Sequence, residues 1–289
     1  MTPINVTGVS PVYFVLLGIP GLESVYHLIA VAFFLVYLLS VVGNVSLLLI
    51  IRVERSLHHP MYYFLCILMA IDLVLCNSAT PKILAILWFN SQEIHFEACL
   101  MQMFFLHSFA IMESALLVAM AFDRYIAVCH PLRYNSILTN WLILSTVLLA
   151  ILRAVALVCP MPFLIKRLPF CTGNVIHHSF CEHMAVVKLA CANTTFNNVY
   201  SIVVALFIVG LDLVFIVCSY ILILRAVFAL PTKAARRKAL ETCASHICAI
   251  LVLYVPVVLS SVVHRFGQSV PPHIHILLAI NYLLLTADD

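Results

Sequence analysis

The sequence predicts an all-α membrane protein, a bundle of seven transmembrane helices, and three observations predict it. Of 289 residues 64% are apolar and 9% charged, and the mean hydropathy is +1.13. A water-soluble domain of this size cannot hide so many apolar side chains, so lipid is the solvent. The apolar residues also come in long blocks, not in amphipathic stripes or strand-like alternation, which excludes a β-barrel. Finally, the net charge is only +3, and the basic residues gather in short clusters between the blocks. They read as topology signals, not as a nucleic-acid surface.

The first ten residues, MTPINVTGVS, lack the basic start and apolar stretch of a cleaved signal peptide, so the first span is expected to direct insertion itself. Residues 1–26 read as a polar tail. Asn5 begins an Asn-Val-Thr sequon there, usable for glycosylation if the tail faces the lumen. The first apolar run, His27 to Ile51, suffices for a hydrocarbon core that needs roughly 20 helical residues. Further runs follow at Met61 to Phe89, Ala98 to Val128, Trp141 to Phe163, Val199 to Phe228 and Ala244 to Val263, with a last one from Ile274 to Ala287. Pro60 and Pro131 sit at span boundaries, whereas Pro81 and Pro256 fall inside runs and predict bent second and sixth helices. The longest connection, 164–197, is more polar and carries Cys171, Cys181 and Cys191. The last run is short for a span and the chain closes on Asp288 and Asp289, which predicts a truncated or engineered carboxyl end. No internal repeat marks an inverted-repeat transporter. The chain, 1–289, reads as one seven-helix domain.

Arg52, Arg55, Arg124, Arg133, Arg225, Lys233, Arg236, Arg237 and Lys238 fall in the first, third and fifth connections. The positive-inside rule assigns these to the cytoplasm and the amino terminus to the outside.

Residues Met120 to Tyr134 read Met-Ala-Phe-Asp-Arg-Tyr-Ile-Ala-Val-Cys-His-Pro-Leu-Arg-Tyr. This segment resembles the signature at the inner end of the third helix of odorant receptors, within the rhodopsin-like G-protein-coupled receptors. Pro60-Met-Tyr-Tyr-Phe-Leu65 resembles the start of that family's second helix, and Lys238 to Ala249 the start of its sixth. Ser179 to Cys191 and Val263-His-Arg-Phe-Gly267 resemble the class I, or fish-like, branch, many of whose members answer to carboxylic acids. The Asn-Pro-x-x-Tyr motif that closes the family's seventh helix is absent. The resemblance implies an odorant receptor in the plasma membrane that binds a small, partly apolar carboxylic acid and raises cyclic AMP through a stimulatory olfactory G protein. It also pairs Cys99 with Cys181 and Cys171 with Cys191, whereas the residues alone leave these cysteines bridged or free.

Arg265 stands at the outer end of the sixth run, with Ser261 one turn below and Tyr254 about three turns below on one face. A guanidinium forks onto both oxygens of a carboxylate, but an arginine at a helix end also snorkels to the interface. The class I motif around Arg265 favours ligand binding. His107 lies about 12 Å deeper than Cys99 along a regular helix, at pocket depth, and reads either as a pocket residue or as a satisfied packing residue. Met184, Ser201 and Ala205 are expected to set pocket size.

Asp72 and Glu113 are acids inside spans, read either as holding a sodium ion, as usual in the superfamily, or as two protonated carboxyls. No other cofactor is expected. With Asp212 in the fifth run they also prompt a rival reading, a transporter or channel that moves substrate. Asp123-Arg124-Tyr125 reads as a switch facing the G protein, in which an arginine held by its neighbouring acid is released when the sixth helix moves. The run Arg236-Arg237-Lys238 reads better as a positive-inside anchor. No span carries a nucleophile and base pair or an HExxH spacing, so no enzyme is expected.

Overall fold

The computed structural model describes residues 11–266 apart from 172, 230 and 231. Asn5 and the run from Ile274 to Ala287 lie outside the described residues. Where the backbone has no water to bond, a long apolar run satisfies its own amides as a helix. Six helices among the described residues are long and apolar enough to cross a membrane. They are α1 (Tyr26–Val53), α2 (Pro60–Phe89), α3 (Phe96–Cys129), the pair α5 (Asn140–Val158) and α6 (Pro160–Lys166), α8 (Thr195–Ala229) and α9 (Lys233–Phe266). A single turn, α4 (Tyr134–Ile137), precedes α5, and α7 (His183–Val187) lies between α6 and α8.

Local chemistry sets the boundaries. α2 opens with Pro60 in its first turn, where the missing N–H has no partner to lose, and closes on Asn90 in the left-handed region at φ 52°. α5 opens behind Thr139, whose hydroxyl accepts the Leu142 N–H at 3.3 Å. Pro160 restarts the fourth span as α6, which extends it to Lys166, beyond the Phe163 edge expected from hydropathy. Pro81 and Pro256 both lie inside their helices. α9 begins at Lys233, about three turns ahead of the apolar run, so the basic cluster is helical. There Arg237 pairs with Glu241 one turn on at 2.7 Å.

Half of the most apolar window of α2 and of α3 is buried, against 22% for the fourth span and for α8. The second and third helices therefore form the centre. The others turn leucine, valine and phenylalanine outward to lipid.

One end of the bundle carries a three-stranded sheet. β1 (Tyr13–Leu16) lies between β2 (Glu93–His95), antiparallel to it, and β3 (Val175–Ile176), parallel to it. Residues 13–16 of the expected polar tail are thus strand, because Phe14 and Leu16 alternate inward. Phe14 packs between Phe96 and Phe170, with ring centroids 5.5 and 5.8 Å away. Lys82 of α2 donates to the carbonyls of Ser91 and Glu93 and ties β2 down. The chain leaves β1 through Gly18 at φ +75°, where a Cβ would lie 2.9 Å from the Tyr26 hydroxyl and 3.0 Å from Ile86. That hydroxyl accepts the Ile19 N–H, so the turn is closed from both sides.

Candidate ligand pocket and transmission network

At the sheet end, two disulfides fix the loop between the fourth and fifth spans. Cys99 of α3 bonds Cys181, and Cys171 bonds Cys191. Gln102, one turn along α3 from Cys99, adds a second clamp. It donates to the Ser78 carbonyl of α2 at 2.8 Å and accepts the Cys181 N–H at 2.9 Å. The segment after Cys181 is thereby laid against α3. Glu182 then caps α7, accepting the Ala185 N–H at 2.7 Å.

This places His183 beside His107, with ring centroids 6.5 Å apart. The Met103 carbonyl lies 2.9 Å from His107 Nδ1, and because a carbonyl only accepts, Nδ1 carries the hydrogen. His183 is 2% exposed and neither ring nitrogen has a partner among the described residues. Burial first, and then the neighbouring His107, push its pKa down to about 4, against a smaller opposing pull from Glu182. Ser201 of α8 bonds the Asn198 carbonyl at 2.9 Å and the Met184 sulfur at 3.8 Å, joining the loop to the fifth span. Ala205, one turn on, is exposed. Ser261 and Arg265 belong to the α9 helix, but their side chains lie outside the described residues.

Tyr254 is buried below this region, and its hydroxyl lies 2.6 Å from Ser114 Oγ of α3. Ser114 in turn donates to Asp212 of α8. Asp212, 1% exposed, takes both arms of Arg153 from α5, at 2.8 and 2.7 Å. Four helices thus meet in one polar network at mid-membrane depth. Asp212, grouped above with the acids of a transporter, is an ion-pair partner here.

At the opposite end, Tyr220 of α8 bonds His246 Nδ1 of α9 at 2.7 Å. Asp123 accepts from Tyr134 at 2.7 Å and lies 3.8 Å from Arg124 Nε, while the Tyr125 hydroxyl is 3.4 Å from His130. Asp72 and Glu113 are buried in α2 and α3. Among the described residues no three His, Cys, Asp or Glu side chains gather into a metal-holding group.

Arg153, Ser114 and the Tyr220–His246 pair were not singled out from the sequence. A signal existed for the first. Arginine within a span demands an acid, and Asp212 was the unmatched acid of a nearby span.

Long apolar helices packed round a central third helix, with a disulfide-pinned loop at one end and Asp123-Arg124-Tyr125 at the other, define a rhodopsin-like G-protein-coupled receptor. The family model described as olfactory receptor matches residues 33–287. The chain is 56% identical to olfactory receptor 52K1 of Homo sapiens over 284 residues, 98% of this chain and 90% of that one. It is 50% identical to olfactory receptor 51E2 of Homo sapiens over 272 residues, 94% and 85% of the two. This chain belongs to the olfactory receptor family. It is a multi-pass membrane receptor for odorants, not an enzyme.

Proposed function

We propose that this receptor answers to a small, partly apolar carboxylic acid bound at the sheet end, with its amino terminus outside the plasma membrane, and raises cyclic AMP through a stimulatory G protein. Arg265 receives the carboxylate and His107 lines the pocket below it. Ser261, Met184, Ser201 and Ala205 set the size of the apolar part. The observation that carries the reading is the run of contacts from Tyr254 through Ser114 to the Asp212–Arg153 pair. It joins the sixth helix, where Arg265 stands, to three others.

An agonist drawing the end of α9 near Arg265 inward displaces Tyr254 against Ser114 and favours the state in which the far end of α9 swings away. Only tighter binding to that state drives the shift. Separation of His246 from Tyr220 then frees Arg124 from Asp123 for the G protein. Asp72 and Glu113 offer buried carboxyl oxygens, and would hold a sodium ion in the resting state.

The test is cyclic AMP in cells expressing the chain, against straight-chain acids, the matching alcohols and a control without G protein. Arg265→Ala should remove the acid response at least tenfold with surface expression unchanged. An unaltered dose response in that variant removes Arg265 from the pocket.

A further inference from the structure

We infer that binding of a carboxylate takes up one proton, held on the His107–His183 imidazole pair, so that acid ligands gain potency as the outside pH falls. The inference rests on the carboxylate reading above and adds its regulation. It follows from hydrogen-bond chemistry. The Met103 carbonyl fixes the hydrogen of an uncharged His107 ring on Nδ1, which leaves Nε2 a bare lone pair. A carboxylate is also an acceptor only, and two acceptors cannot bond until one gains a proton.

His183 lies against this ring, 2% exposed, with both nitrogens unpartnered among the described residues. Without ligand, a cation on His183 would face burial and the neighbouring imidazole, so His183 stays neutral. A carboxylate reverses both effects by supplying an opposite charge and a hydrogen-bond acceptor.

Glu182 already supplies an opposite charge, but burial and His107 outweigh it. Glu182 precedes His183 and already accepts the Ala185 N–H. Lys166 of α6 is paired with Glu97 of α3 at 2.7 Å. α8 meets the loop through uncharged Ser201. On α9 the charged residue at this end is Arg265, whose side chain lies outside the described residues.

The sign follows from linkage. His183 is depressed below its ordinary value when free and is raised again beside a carboxylate. Between those two values the complex binds more protons than the free receptor, so affinity rises as pH falls. The gain ends near pH 4 to 5, where a carboxylic acid itself protonates, at about 4.3 for a glutamate-like group.

The experiment measures dose responses of the full receptor at outside pH 7.4, 6.9 and 6.4. The probes are the most potent acid of a straight-chain series and the alcohol of equal length, each on wild type, His183→Gln and His107→Gln. Surface labelling reports folding, and the pH slope within each variant, not its absolute potency, is compared. One proton allows up to roughly tenfold in potency per pH unit. The expected result is about a fivefold gain for the acid over this range, none for the alcohol, and a slope reduced to about twofold or less in either variant. A flat acid response in wild type overturns the inference while leaving the carboxylate reading intact, as does a slope kept in both variants. Acids silent at every pH beside an active alcohol overturn the carboxylate reading and this inference together.

Discussion

The Arg153–Asp212 pair is where single residues matter most. Each charge is tolerated inside the bundle only because the other is present, with two hydrogen bonds between them and a third from Ser114. Removing one partner of a buried pair costs about 3–5 kcal/mol, whereas replacing both with apolar residues of similar size is often neutral. Arg153→Ala should therefore lower the thermal stability of the purified receptor sharply, and Arg153→Met with Asp212→Leu should recover most of the loss. A double variant as unstable as the single would show that the charges are not what the site needs. This network was half legible in the sequence. Asp212 drew notice as an intramembrane acid, but Arg153 escaped because basic residues were weighed in the connections. Ser114 and Tyr254 carry hydroxyls whose meeting depends on how three helices pack, which no local pattern encodes.

Among elements, the spans were readable and the sheet was not. Hydropathy located every described span because lipid leaves an apolar run one way to satisfy its backbone. The edges moved where helices outlast their apolar stretch. Lys233 to Glu241 looks like a connection by composition yet is helix, since lysine, arginine and alanine are good helix formers. β1 is four residues long and has meaning only beside partners from two distant segments. Its exit turn is the weak point. Gly18→Ala should strain both the backbone and the contacts to Tyr26 and Ile86, costing roughly 1–3 kcal/mol. Limited proteolysis should then cut residues 11–22 faster while the helices stay protected. Equal cutting rates in variant and wild type would mean that the turn tolerates a methyl group.

At the scale of the whole molecule, charge placement predicts orientation. If the basic connections face the cytoplasm, Asn5 is glycosylated, and peptide glycosidase treatment should shift the mass of wild type by one glycan more than that of Asn5→Gln, which keeps the Asn193-Thr194-Thr195 sequon. An unshifted wild type would deprive the outward amino terminus of that support. The sheet adds a constraint on how the molecule comes into being. Its middle strand is made first, yet one neighbour arrives only after two membrane crossings and the other after four, and Ser179 reaches back across 161 residues to Gly18. The ribosome must deliver most of the receptor before its first strand can be enclosed. Until then Phe14 and Leu16 wait uncovered at the translocation site, so the interval before β3 emerges is when a nascent receptor is most open to chaperone capture or to degradation.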